Sequence, residues 1–118
     1  MITDPPLLRI QRNFSRPKHE VVKHFAGAAT GHLVDAMGGA GALDIGIKPL
    51  DAINSSFCGV ALTCNAGPAD NLAVFAALQV VQPGDVLVAA TGSYLGAAVA
   101  GDLLVGMEIG RASCRARV

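Results

Sequence analysis

Apolar positions in this chain fall into short runs, punctuated by glycine, proline and aspartate. Glu20–Phe25 predicts a short helix that Gly27 breaks. Thr30 is placed to cap a helix through Met37, with Leu33, Val34 and Met37 on one face. The glycines at 38–41 end it, because glycine accepts the left-handed backbone of a helix stop. Phe57–Asn65 (FCGVALTCN) predicts a buried strand, and Gly67-Pro68 a turn. Asp70 is placed to cap a helix through Val81, with Leu72, Phe75, Ala76 and Leu78 inward. Gln82-Pro83-Gly84-Asp85 is a turn and Val86–Ala90 a second buried strand. Thr91-Gly92-Ser93 makes a loop, and a helix is expected from about Leu95 to Gly106. Strand, helix, turn, strand, loop and helix in that order predict an α/β fold. No internal repeat is visible.

The ends read differently. Residues 1–19 are proline-rich and basic, and with the helix after them form an N-terminal arm over 1–27. After Met107 the string EIGRASCRARV loses apolar periodicity and carries three arginines.

With 118 residues the chain makes one domain at most, large enough to bury a core. Hydrophobic residues make up 52% and charged residues 15%, which excludes intrinsic disorder. The net charge is zero but unevenly built. Residues 1–50 hold six bases, and residues 51–107 hold four aspartates (51, 70, 85, 102) with no Lys or Arg. An apolar body without cations is a poor nucleic-acid groove, since phosphates demand clustered Lys or Arg. The start has no signal-peptide core, and no stretch reaches the run of about 20 apolar residues that spans a bilayer. A soluble, cytoplasmic protein is expected. Cys58, Cys64 and Cys114 form no disulfide framework and read as reduced thiols.

The residue of greatest chemical interest is Asp102, a carboxylate inside the apolar run AAVAGDLLVG. A buried carboxylate needs a partner, a metal or a proton; the alternative places Asp102 on an exposed helix stripe. Gly92, Gly96 and Gly101 either bare backbone amides for an anion or simply allow close packing. There is no GxGxxG and no GxxxxGK[ST], so nucleotide binding lacks support. Lysine occurs only at 18, 23 and 48, outside the strand–loop–helix region, which leaves carbonyl chemistry there without a Schiff-base amine. Such chemistry would need a metal as electron sink. His19, His24 and His32 lack metal-site spacing, although His32 lies one turn from Asp35. Ser93 has no evident base, and Tyr94 reads as a packing residue.

An ordered set of strings carries a family likeness: TGHLVDAMG at 30–38, IKPL at 47–50, CGVALT at 58–63, DNLAVFAAL at 70–78, VQPGDVLV at 81–88 and AGDLL at 100–104. Together they resemble the RraA-like family. Its members include 4-hydroxy-4-methyl-2-oxoglutarate aldolases, oxaloacetate decarboxylases and regulators of ribonuclease E activity. The likeness covers about residues 28–107.

That resemblance implies a layered β-sheet core with flanking helices, in a homo-oligomer, usually a trimer. It implies a small 2-keto acid substrate and a divalent cation, Mg²⁺ or Mn²⁺. The expected reactions are retro-aldol cleavage to pyruvate and decarboxylation of oxaloacetate through the same enolate. Asp102 matches the family's acidic residue, implied to hold metal-bound water and to take part in proton transfer. Gly101, Asp102, Leu103 and Leu104 match the segment that contacts substrate, mainly through backbone amides. The family pattern then places an Arg-Asp pair after a gap of twenty, beyond Val118: the Arg for the substrate carboxylate, the Asp as direct metal ligand. The expectation is a C-terminally truncated domain with a non-native-looking tail over 108–118 and no catalysis of its own. The competing expectation is a non-catalytic protein that regulates a ribonuclease E-type activity by contact.

Overall fold

In the computed structural model, residues 4–49, 52–101 and 104–107 are described. Residues 4–18 have no regular secondary structure. Two short helices follow, α1 (His19–Phe25) and α2 (Thr30–Ala36), then a 3-10 turn at Ala52–Asn54. The remainder is strand β1 (Val60–Asn65), helix α3 (Leu72–Ala77) and strand β2 (Asp85–Ala90).

The strands pair in parallel, Val60 opposite Asp85 through Asn65 opposite Ala90. A parallel pair cannot be joined by a tight hairpin and needs a crossover, which α3 supplies. The mixed α/β expectation holds in this form: a two-stranded parallel sheet with α3 packed on it. Leu62 and Leu87 face Val74, Ala77 and Leu78 of the α3 segment, and Ala66 and Leu104 complete the core. Phe14 from the arm packs against its side.

Several expectations need correction. The first strand begins at Val60 rather than Phe57, and neither strand is buried throughout: only Leu62 in β1, and Asp85 and Leu87 in β2, are fully covered. Two strands with one helix leave the other face open, so alternate residues such as Val88 are exposed. The inward face of α3 is Val74, Ala77 and Leu78, spaced i, i+3, i+4, whereas Leu72 and Phe75 are exposed. The run LAVFAAL is apolar all round, so its periodicity does not choose a face. Regular helix ends at Ala77, although hydrogen-bonded turns continue to Val81. The residue before the helix is Asn71, yet Asp70 Oδ1 accepts the Leu72 amide at 2.9 Å and satisfies one free donor of the first turn. Thr30 is the first residue of α2 rather than its cap, a position held by Ala29.

The glycine stop after α2 forms as expected. Gly39 N–H donates to Val34 O at 2.8 Å and Gly38 N–H to Asp35 O at 3.0 Å, with Gly38 at φ +67°. This is the paired bonding of a Schellman motif. The helix expected over 95–106 does not form over 95–101; residues 104–107 make a helical turn, and Asp102 and Leu103 lie outside the described residues. Gly96 and Gly101 disfavour helix, and a segment with few apolar anchors gains little from packing. Leu104 is the anchor that finds the core.

Candidate functional site

Because β1 and β2 are parallel and in register, they end together at Asn65 and Ala90. The Ala66 amide extends the ladder by donating to Ala90 O at 2.9 Å. The loops that leave these two ends share one edge of the sheet. In open α/β sheets the carboxyl ends of the strands are the usual place for ligands.

Both loops carry left-handed backbone. Gly67 and Ala69 have φ of +70° and +54°, and Gly92 and Ser93 have +63° and +60°. They lie against each other: a methyl group at Gly92 would sit 3.7 Å from Pro68 Cγ. The second loop passes Tyr94, whose ring folds over Gly96, and reaches Gly101. Gly101 O accepts the Val105 amide at 3.0 Å, which closes one helical turn. Gly101 is exposed with open space at its missing side chain, while Leu104, three residues on, is 5% exposed in the core. The structure therefore brings Gly101 and Leu104 onto one turn. The catalytic candidate Asp102, with Leu103, lies outside the described residues.

The charged centre of the described structure is elsewhere, at the amino end of β2. Asp85 is 2% exposed. Arg16 Nε donates to its Oδ1 at 3.0 Å and Arg16 Nη2 to its Oδ2 at 2.7 Å, a forked pair. The same Nη2 donates to Val80 O at 3.0 Å, and the guanidinium lies 4.4 Å from the Phe14 ring centroid. Asp85 Oδ2 also accepts the Gln82 amide at 2.9 Å and so closes the turn before β2. Its hydrogen bonds to Asp85 hold the Arg16 pKa above its ordinary value. A buried charge of this kind demands a partner. This one is structural, and it ties the arm to the sheet.

Among the described residues, no group of three or more His, Cys, Asp or Glu is placed to hold a metal. His19 and His24 sit on α1 and His32 on α2. Cys58 and Cys64 are free thiols. Cys58 Sγ donates to Val22 O at 3.7 Å beside a hollow of about 260 Å³ between α1 and the lead into β1. Cys64 lines an open cleft of about 720 Å³, and burial pushes its thiol pKa up. No described helix is long and apolar enough to cross a membrane.

Over residues 30–112 the sequence matches the RraA-like family, described as Aldolase/RraA. The chain belongs to this family. A protein of Halalkalibacterium halodurans named "Putative 4-hydroxy-4-methyl-2-oxoglutarate aldolase" is 34% identical over 93 residues. The alignment covers 79% of this RraA-like chain and 44% of that relative, so the chain spans less than half the relative's length. No solved structure matches the chain. The family match starts after α1 and leaves the arm that carries Arg16 outside it.

Proposed function

We propose that this RraA-like chain carries the glycine–carboxylate segment of a site that releases pyruvate from a 2-keto acid by retro-aldol cleavage. The substrate proposed is 4-hydroxy-4-methyl-2-oxoglutarate, with oxaloacetate decarboxylation through the same enolate. The observation that carries this reading is the family match running through Gly101–Leu104, the segment that follows the carboxyl edge of the parallel strands. The aldolase name of the relative supports it.

Within this reading the backbone amides around Gly101 bind a substrate carboxylate, because glycine leaves them uncovered. Asp102 serves as proton carrier at the carbon that becomes the methyl group of pyruvate. The family's dependence on Mg²⁺ or Mn²⁺ finds no matching donor set among the described residues, where no three candidate ligands gather. The 118 residues also contain no Arg-Asp pair. The proposal therefore assigns this chain the binding of substrate by amides and the placing of one carboxylate.

Binding of oxalate, a planar mimic of the pyruvate enolate, tests this without requiring turnover. Titration calorimetry on the full chain with no metal added is expected to show saturable binding. Asp102→Asn removes a negative charge from beside the oxalate dianion and is expected to tighten binding by about tenfold. Equal affinity in both chains would remove Asp102 from the site. Pyruvate release coupled to NADH oxidation reads the activity directly. No release, together with slowing of a ribonuclease, would favour regulation by contact instead.

A further inference from the structure

The cleft of about 720 Å³ has an uncommon lining: six consecutive residues of the β1 segment, Ala61–Ala66, and none from β2. A cleft over one face of a strand meets alternate residues. One that meets every residue runs along an edge, and among the described residues β1 has a partner on one edge only. One wall is α3, and the other is the arm, through Leu7–Gln11 and Phe14.

The arm is held lightly. No backbone hydrogen bond joins residues 4–17 to the other described residues. Leu8, Phe14 and Arg16 are half-buried and the rest of 4–18 is exposed. The one strong attachment among the described residues is the forked Arg16–Asp85 pair, at the end of the sheet where β1 and β2 begin. From there the arm travels back over the cleft.

We propose that residues 7–16 form a latched strap over the unpaired edge of β1. The Arg16–Asp85 pair is the latch, and the arm beyond it governs access to the edge and to Cys64. Unpaired strand edges recruit other strands unless something covers them. A segment anchored at one end covers the edge without becoming part of the sheet, and it can be displaced without unfolding the core. This inference is independent of the proposed function, because none of the residues assigned to the proposed site belongs to the arm or the latch.

The test compares alkylation of Cys64 by iodoacetamide with that of exposed Cys58 in the same full chain, each resolved by peptide mass spectrometry. Amide hydrogen exchange of β2 is followed in parallel. Leu8→Glu lifts the strap but leaves both the latch and the core; Arg16→Met opens the latch. Each is expected to speed Cys64 alkylation by about tenfold relative to Cys58; β2 exchange stays unchanged in Leu8→Glu, whereas Arg16→Met, which leaves buried Asp85 without its cation, quickens it as well. Arg16→Lys, which cannot fork, is expected to fall between wild type and Arg16→Met. Should Arg16→Met fail to fold, Leu8→Glu decides alone. An unchanged Cys64 rate in Leu8→Glu overturns the strap. So does a rise in Leu8→Glu that appears only together with loss of β2 protection, since that is general unfolding.

Discussion

Residues 19–58 and 60–104 are both rich in large apolar side chains, but only the second region buries any among the described residues. In the first, Phe25, Met37, Leu43, Ile45, Ile47, Ile53 and Phe57 are exposed, and neither α1 nor α2 has a fully buried residue. In the second, Leu62, Val74, Leu78, Leu87 and Leu104 close on one another. Hydrophobicity does not separate the two; topology does. A strand, its crossover helix and the parallel partner strand form a unit that covers its own apolar face. Two seven-residue helices joined through Gly27 have no such closure, and helices of that length are marginal without packing.

The comparison is broken or confirmed most sharply by a pair of truncations. Leu78→Ala empties a position that is 2% exposed and should cost about 2–5 kcal/mol. Ile45→Ala removes a side chain that is 83% exposed and should stay within about 0.5 kcal/mol. Urea unfolding followed by far-UV circular dichroism measures both. Similar midpoint shifts would show that residues 19–58 have a core of their own in solution.

Gly59 sits at the seam between the regions. A methyl group there would collide with Gly84 O and lie 2.9 Å from Val86 Cγ2. The Val60 amide donates to that same Gly84 carbonyl at 3.2 Å, so the collision falls on the first rung of the ladder. Gly59→Ala is expected to cost about 1–3 kcal/mol, the usual penalty for overpacking. Exchange of the β2 amides should quicken with it, and unaltered protection would show that the two segments can part without loss.

The same contrast governs how much of the fold is legible in the amino-acid sequence. Turn chemistry is legible: Gln82–Asp85 and the glycines after α2 fix backbone geometry through a few residues, whatever surrounds them. Facing is not. In LAVFAAL every position is apolar, and only the placement of β1 selects Val74, Ala77 and Leu78. The strand over 86–90 is legible in place but not in depth, because burial on both faces needs neighbours that a two-stranded sheet lacks. The helix expected over 95–106 fails over 95–101 for want of anchors. The Arg16–Asp85 pair leaves a faint trace in the charge pattern. With no Lys or Arg in 51–107, the cationic partner of a buried Asp85 has to come from residues 1–50 or 108–118, so the pairing is necessarily long-range. Of the candidate site, Gly101 and Leu104 fall on one turn; Asp102 rests on the family likeness alone.

A smaller effect concerns the carboxyl edge. Ala69 holds φ at +54° in the turn after Pro68, a region that suits glycine better than any residue with a side chain. Ala69→Gly relieves that strain but also loosens the unfolded chain, and the two partly cancel. A net gain of about 0.5–1 kcal/mol is expected from thermal melts. A loss instead would mean that the alanine methyl makes a packing contact worth more than the strain.

The smallest expected effect is a pH slope, and it belongs to the closed region. Burial raises the Cys64 thiol pKa above the ordinary value of about 8.5. In the unfolded chain that thiol loses its proton first, so between the two values the folded state binds more protons. Stability then falls as pH rises. The Cys64 contribution is complete below about pH 8.5 and declines through the raised folded value above it. Thermal melts from neutral to alkaline pH should therefore show a downward slope that Cys64→Ala reduces. A slope of the same size in Cys64→Ala would show that the closed region does not shield this thiol from water, and the contrast between the two halves of the molecule would lose its electrostatic side.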